Sequence, residues 1–183
     1  KWKSIKKMLE ELIIRHIEND PYRSSSNVLI SSMSGVPLFF EILGEIGDEQ
    51  SIEPLVKMLT YYKGRPSGLR KYAALTLDKL GWEPDTDKLR VIHLVSKQDL
   101  DAVVDLGEVA VKPLINLISK IKSGRPDWFQ RERTSIAEAL DKLGWEPDTD
   151  ELRVIYFSAK DDWDAAVSLG EVAVESLVNL LVD

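Results

Sequence analysis

The chain has 183 residues, 44% of them hydrophobic and 30% charged, enough for a sizeable core in one domain or two. A formal net charge of −7 counts against a protein that neutralises nucleic-acid phosphates along a broad basic face. The absence of cysteine excludes disulfides and thiolate metal sites, and no apolar run approaches the ~20 residues that span a bilayer.

In chain order, residues 1–18 predict a helix with Trp2, Ile5, Leu9, Leu12, Ile13 and Ile17 on its buried face. Lys6 and Lys7 are followed by this amphipathic pattern and not by a solid apolar block, so the start does not read as a signal peptide. The first residue is not methionine, as in a piece trimmed from something longer. Asn19-Asp20-Pro21 ends the helix.

The strongest signal lies further on. Asp78-Lys79-Leu80-Gly81-Trp82-Glu83-Pro84-Asp85-Thr86-Asp87 recurs unchanged at Asp141 to Asp150, a period of 63 residues. Ahead of its glycine, Ala73, Ala74, Leu77 and Leu80 lay an apolar stripe along a helix. Gly81 fits the left-handed position past the helix end, and Pro84 keeps the helix from resuming. Asp85 and Thr86 offer capping oxygens to the next helix, and Asp148 with Glu151 has the spacing of a capping box. Trp82 and Trp145 read as wedges at this corner.

The same period takes Pro84 back to Pro21, Val91 to Val28 and Gly107 to Gly44, so a worn first copy precedes the other two. A second glycine corner recurs at Gly44, Gly107 and Gly170. Helices are expected after it over 52–62, 111–121 and 174–182, with Pro54 and Pro113 in first turns, where a missing amide costs little. The expected fold is one all-α domain over 1–183, a right-handed α-solenoid of about six short helix pairs in units 1–63, 64–126 and 127–183.

The run Ala-Ala-Leu-Thr-Leu-Asp-Lys-Leu-Gly, together with Phe40 to Val56, resembles HEAT repeats, and more narrowly the short HEAT-like repeats of phycobilin lyase subunits. The resemblance implies the solenoid fold and serves scaffolds, chaperone-like lyases and a few enzymes alike. HEAT-like iron hydroxylases use His-Glu pairs, whereas here His16 precedes Ile17 and His93 precedes Leu94.

Chemistry is sparse. Tyr156 takes the place of His93 one period on, which points to ring packing and not proton transfer. Asp99, Asp101, Asp105 and Glu108 form one acidic group and Asp161, Asp162, Asp164 and Glu171 its counterpart in the next unit, and both read as helix-start charge on a solvated face; they lack the spacing of a calcium loop. No residue beside Ser24-Ser25-Ser26 would activate a nucleophile, and no phosphate-cradling loop or cofactor motif is present. The notable polar feature is a pair of turns, Gly64-Arg65-Pro66 and Gly124-Arg125-Pro126. Arg65, Arg70 and Lys71 surround the first, and Arg125, Trp128, Arg131 and Arg133 the second, predicting a basic edge with an aromatic among its cations. Lys57, Asn116 and Asn179 are the expected outward positions on the second helices. These features point to a non-catalytic scaffold or adaptor in the cytoplasm that binds another protein, with no cofactor, metal or membrane. The alternatives are a subunit of a phycobilin lyase or chromophore chaperone and, least favoured by the charge, a HEAT-like nucleic-acid glycosylase.

Overall fold

The structure, a computed structural model, describes residues 4–8, 11, 36–60, 67–121, 127–171, 173–175 and 178. Among these residues every regular element is a helix and no strand occurs. They fall into two compact units, Lys1–Gln98 and Asp99–Asp183.

In the first unit the helices are α1 (Val36–Ile46), α2 (Glu49–Thr60), α3 (Ser67–Lys79) and α4 (Asp87–Lys97). Helix α3 packs against α1, α2 and α4, and α2 also meets α4. Its inner stripe is Leu69, Ala73, Ala74 and Leu77, and the two alanines let the backbones approach closely. Leu43, Leu55, Leu59 and Leu77 are fully buried, each contributing roughly 1.5–3 kcal/mol of apolar burial.

The second unit repeats the scheme. It holds α5 (Leu100–Asp105), a 3-10 turn (Gly107–Ala110), α6 (Val111–Ile118), α7 (Asp127–Lys142), α8 (Asp150–Ala159) and α9 (Trp163–Val167). Helix α7 packs against α5, α6 and α8, as α3 packs against its own three neighbours, and α8 also meets α6 and α9.

The helix ends follow the repeated stretch. Gly81 and Gly144 have φ of 69° and 70°, in the region only glycine enters cheaply. The Trp82 amide donates to the Leu77 carbonyl and the Gly81 amide to Asp78, and Trp145 and Gly144 donate likewise to Leu140 and Asp141. These are the two bonds of a Schellman motif, with tryptophan just past the glycine.

Three local expectations are corrected. Gly44 does not end a helix, because α1 runs on to Ile46. A Cβ there would lie 2.7 Å from Lys79 Cδ, so this glycine accommodates a neighbouring side chain, while Gly107 and Gly170 do turn with φ of 68° and 71°. Pro54 lies inside α2 and not in its first turn. Asp48 starts that helix three residues early by accepting the Gln50 amide on its side chain. Finally, Asp148 and Glu151 form no capping box: Thr149 is the N-cap and accepts from the Leu152 amide, as Thr86 does from Leu89.

Residues 4–8 and 11 are helical, as are 171, 173–175 and 178. The remainder of the predicted 1–18 helix, the turn at Pro21, His16, the serine run and both Gly-Arg-Pro turns lie outside the described residues.

Candidate functional site

Each unit builds one polar cluster at its glycine corner. In the first, the Asp78 carboxylate at the end of α3 receives His93 Nε2 at 2.9 Å and Lys97 Nζ at 2.7 Å, both from α4. His93 is buried, and its Nε2 also lies 3.3 Å from the Ala74 carbonyl. Both neighbours of this nitrogen are acceptors, so Nε2 carries the proton. The Trp82 ring meets the imidazole edge-on at 5.5 Å.

One period later Asp141 is bonded by the Tyr156 hydroxyl and by Lys160 Nζ at 2.8 Å, with Trp145 edge-on to Tyr156 at 5.8 Å. Partial burial alone raises the Asp141 carboxyl pKa, but the bonds from Lys160 and Tyr156 outweigh it and hold the group below the ordinary carboxylate range. Burial, then the bond to Asp141, pushes the Tyr156 phenol up, and the bonds to Asp141 and Tyr156 push the Lys160 ammonium up. All three groups are thereby held in the charge states they already have at neutral pH. None is tuned toward the value a general acid or base needs, so this cluster ties two helices together.

The predicted basic edge is redistributed. Arg70 and Arg133 are buried, at 1% and 0% exposure, and neither presents its guanidinium to solvent. Arg133 Nη2 donates to the Ile155 carbonyl at 3.1 Å and to Ser158 Oγ at 2.7 Å. Burial lowers its pKa to about 10, against the attraction of Asp161. Lys71 is half-buried and donates to Gln98 at 3.3 Å. Arg131 is exposed. Trp128 lies on α7, while Arg65 and Arg125 fall outside the described residues.

On the second helices, Lys57 of α2 is exposed and pairs with Glu53 at 2.7 Å. Asn116 of α6 is exposed and donates to the Lys112 carbonyl one turn back; Asn179 is outside the described residues. The acidic groups resolve into caps: Asp99 and Asp162 accept the Ala102 and Ala165 amides at the starts of α5 and α9. No three of the described His, Asp or Glu residues converge to hold a metal, and no described helix is long and apolar enough to cross a membrane.

Sequence reasoning missed two features. Gln98 and Asp161, one period apart, end helices with φ of 66° and 57° without being glycine. A cleft of about 160 Å³ also opens between α1 and α3, lined by Pro37, Phe40, Glu41, Tyr72, Leu75, Thr76 and Lys79. The Phe40 and Tyr72 rings stack at 5.8 Å beneath it, and Leu75 on its wall is 41% exposed. It is smaller than the roughly 300–1,000 Å³ typical of small-molecule sites.

Two units with the same helix packing and the same corner cluster define an all-helical repeat protein. The family description PBS lyase HEAT-like repeat matches residues 41–61, the second half of α1 and all of α2, and that stretch is similar to a HEAT-like repeat. No match was found among curated proteins or among solved structures.

Proposed function

We propose that this is a non-catalytic protein-interaction module, a right-handed solenoid of stacked helix pairs. In each unit a partner protein would meet the outward side of the second helix, at Lys57 of α2 or Asn116 of α6, together with the basic residues Arg65, Arg125 and Arg131 expected from the sequence. The observation that carries this reading is the placement of Lys57 and Asn116. They stand at equivalent points of α2 and α6, exposed, while the neighbouring Leu55, Leu59, Leu114 and Ile118 are buried. The period therefore repeats a closed interior and varies an open surface, which is how stacked helices recognise proteins.

The test is a pull-down from native lysate. The intact chain is compared with the Arg65→Glu/Arg125→Glu/Arg131→Glu variant and with Lys57→Glu/Asn116→Glu. A protein held by the intact chain and lost by either variant supports the reading and says which surface binds. A protein held equally by all three refutes both surfaces.

The matched family description names a lyase, and this favours one second reading, a subunit acting on open-chain tetrapyrroles. That reading predicts a new visible absorbance when the chain is mixed with bilin, and the scaffold reading predicts none.

A further inference from the structure

The cleft between α1 and α3 differs in kind from the same place one period on. Position 38 corresponds to a carboxylate in both later copies, Asp101 and Asp164, and position 75 to Glu138 in the second; all three acids are exposed. The first copy has Leu38 and Leu75 there, 57% and 41% exposed. It reverses the polarity at position 41 too, with an exposed Glu41 where the second copy has a half-buried Val104. Tyr72 likewise replaces Ser135, and its ring stacks on Phe40 beneath the cleft.

Every residue lining the cleft lies on α1 or α3, which pack directly together. Lys79 closes one end: its stem crosses Gly44, where a Cβ would meet Cδ at 2.7 Å, and its ammonium is held 3.3 Å from Glu45. Glu41 is the carboxylate left on the rim, with no cation bonded to it among the described residues. Leu38 stands one turn before it, on the stripe that Glu41 and Glu45 share. Single exposed leucines are ordinary. Two of them beside a cleft floored by aromatic rings, at positions where the repeat carries acids, are a departure that helix packing does not call for. A repeat contacts only its neighbours, so further copies at either end of the chain add beside this pair of helices and not across it.

We propose that this cleft docks a short segment of a partner protein carrying one aromatic or branched apolar residue beside a lysine or arginine. The apolar side chain lies against Tyr72 and Leu75, and the cation meets Glu41. Size supports a single anchor: the space is about 160 Å³, and an apolar cavity of roughly 150 Å³ takes up one benzene ring. Charge supports the cation, because Glu45 already neutralises Lys79 and leaves Glu41 in excess. The proposal rests on the protein-interaction reading but not on its surfaces. None of the lining residues is Lys57, Asn116 or a residue of the basic edge, so the failure of either site leaves the other standing.

A phage-displayed library of random peptides is panned on the intact chain, and a fluorescein-labelled member of the enriched family is then titrated and followed by anisotropy. The expected family combines a bulky apolar residue with a neighbouring lysine or arginine. Its affinity should fall roughly tenfold or more with Leu38→Asn/Leu75→Gln, as when an apolar anchor is lost. These replacements are the neutral counterparts of Asp101 and Glu138, which the second copy carries at the same positions. The variant's circular dichroism and melting temperature should therefore match those of the parent. Glu41→Lys should weaken the same peptide and strengthen an analogue with glutamate in place of the basic residue. The proposal is overturned if no such family emerges, if the double variant binds equally, or if Glu41→Lys changes nothing. A dimer in sedimentation that the double variant dissociates overturns it as well, because the occupant would then be a second copy of the chain.

Discussion

Replacing Arg133 with methionine should leave the protein as stable as before, although the residue is fully buried and hydrogen-bonded. Burial lowers the guanidinium pKa to about 10, against the attraction of Asp161. At about 1.4 kcal/mol per unit, keeping it charged at neutral pH costs on the order of 3 kcal/mol. Its two bonds, to the Ile155 carbonyl and to Ser158 Oγ, return roughly 1.5 kcal/mol each at the low end for a charged donor. Cost and return are therefore nearly equal, and Nε and Nη1 add no hydrogen bond. Methionine fills much of the same volume without a charge. It orphans no acceptor, because the Ser158 hydroxyl already donates to the Ile155 carbonyl at 2.9 Å. Arg133→Met should fall within about 1 kcal/mol of the parent or above it. Arg133→Ala should lose about 2–4 kcal/mol by leaving a cavity. Urea unfolding at constant m-value reads both. If methionine costs as much as alanine, the guanidinium is a net stabiliser and the balance above is wrong.

Three further outcomes follow from two of the glycines and the Asp141 cluster. Gly144→Ala should cost about 1 kcal/mol through backbone strain alone, since a Cβ there meets nothing within 4 Å. Gly44→Ala should be close to neutral in the same melts, because the gain of about 1 kcal/mol in helix propensity is set against displacing Lys79 from its 3.3 Å pair with Glu45. Asp141→Asn should change the acid limb. Folding lowers the Asp141 pKa, so its contribution is complete above the unfolded value of 3.8 and is lost as pH falls through the lower folded value. The stability gap between parent and variant should thus stay level from about pH 5 to 8 and close as pH falls below 3.8 through the lower folded value; a gap that does not change with falling pH would refute the assignment.

The corner was legible because each step has its own residue: glycine for the left-handed turn, proline for the stop, threonine for the cap. Asp148 and Glu151 misled because their spacing is right for a box only if Asp148 holds the cap, and Thr149, one residue nearer the helix, takes that position. The two arginines misled for a different reason. Arg70 and Arg133 were read by charge as edge residues, yet Arg70 stands three, four and seven residues before Ala73, Ala74 and Leu77, and Arg133 stands likewise before Ile136, Ala137 and Leu140. That spacing puts both on the inner stripe, and it was visible in the sequence. The turns at Gln98 and Asp161 gave no such signal, since neither residue type is selected for positive φ as strongly as glycine.

Where the copies agree and where they differ separates structure from function. Asp78 and Asp141, Lys97 and Lys160, Trp82 and Trp145, and Arg70 and Arg133 match in identity one period apart, and all lie at helix contacts within their units. Histidine and tyrosine alternate at 93 and 156 because the corner requires only a flat ring whose far edge donates to a carboxylate, and either ring meets that need. Outward positions obey no such rule: lysine at 57 stands for asparagine at 116, and leucine at 100 for tryptophan at 163. An unpaired lysine or tryptophan at a contact would cost stability, whereas on an open face it changes only what can bind there. The internal clamps are therefore structural, and on the interaction-module reading proposed above the recognition chemistry falls to the residues that the repeat leaves free to vary.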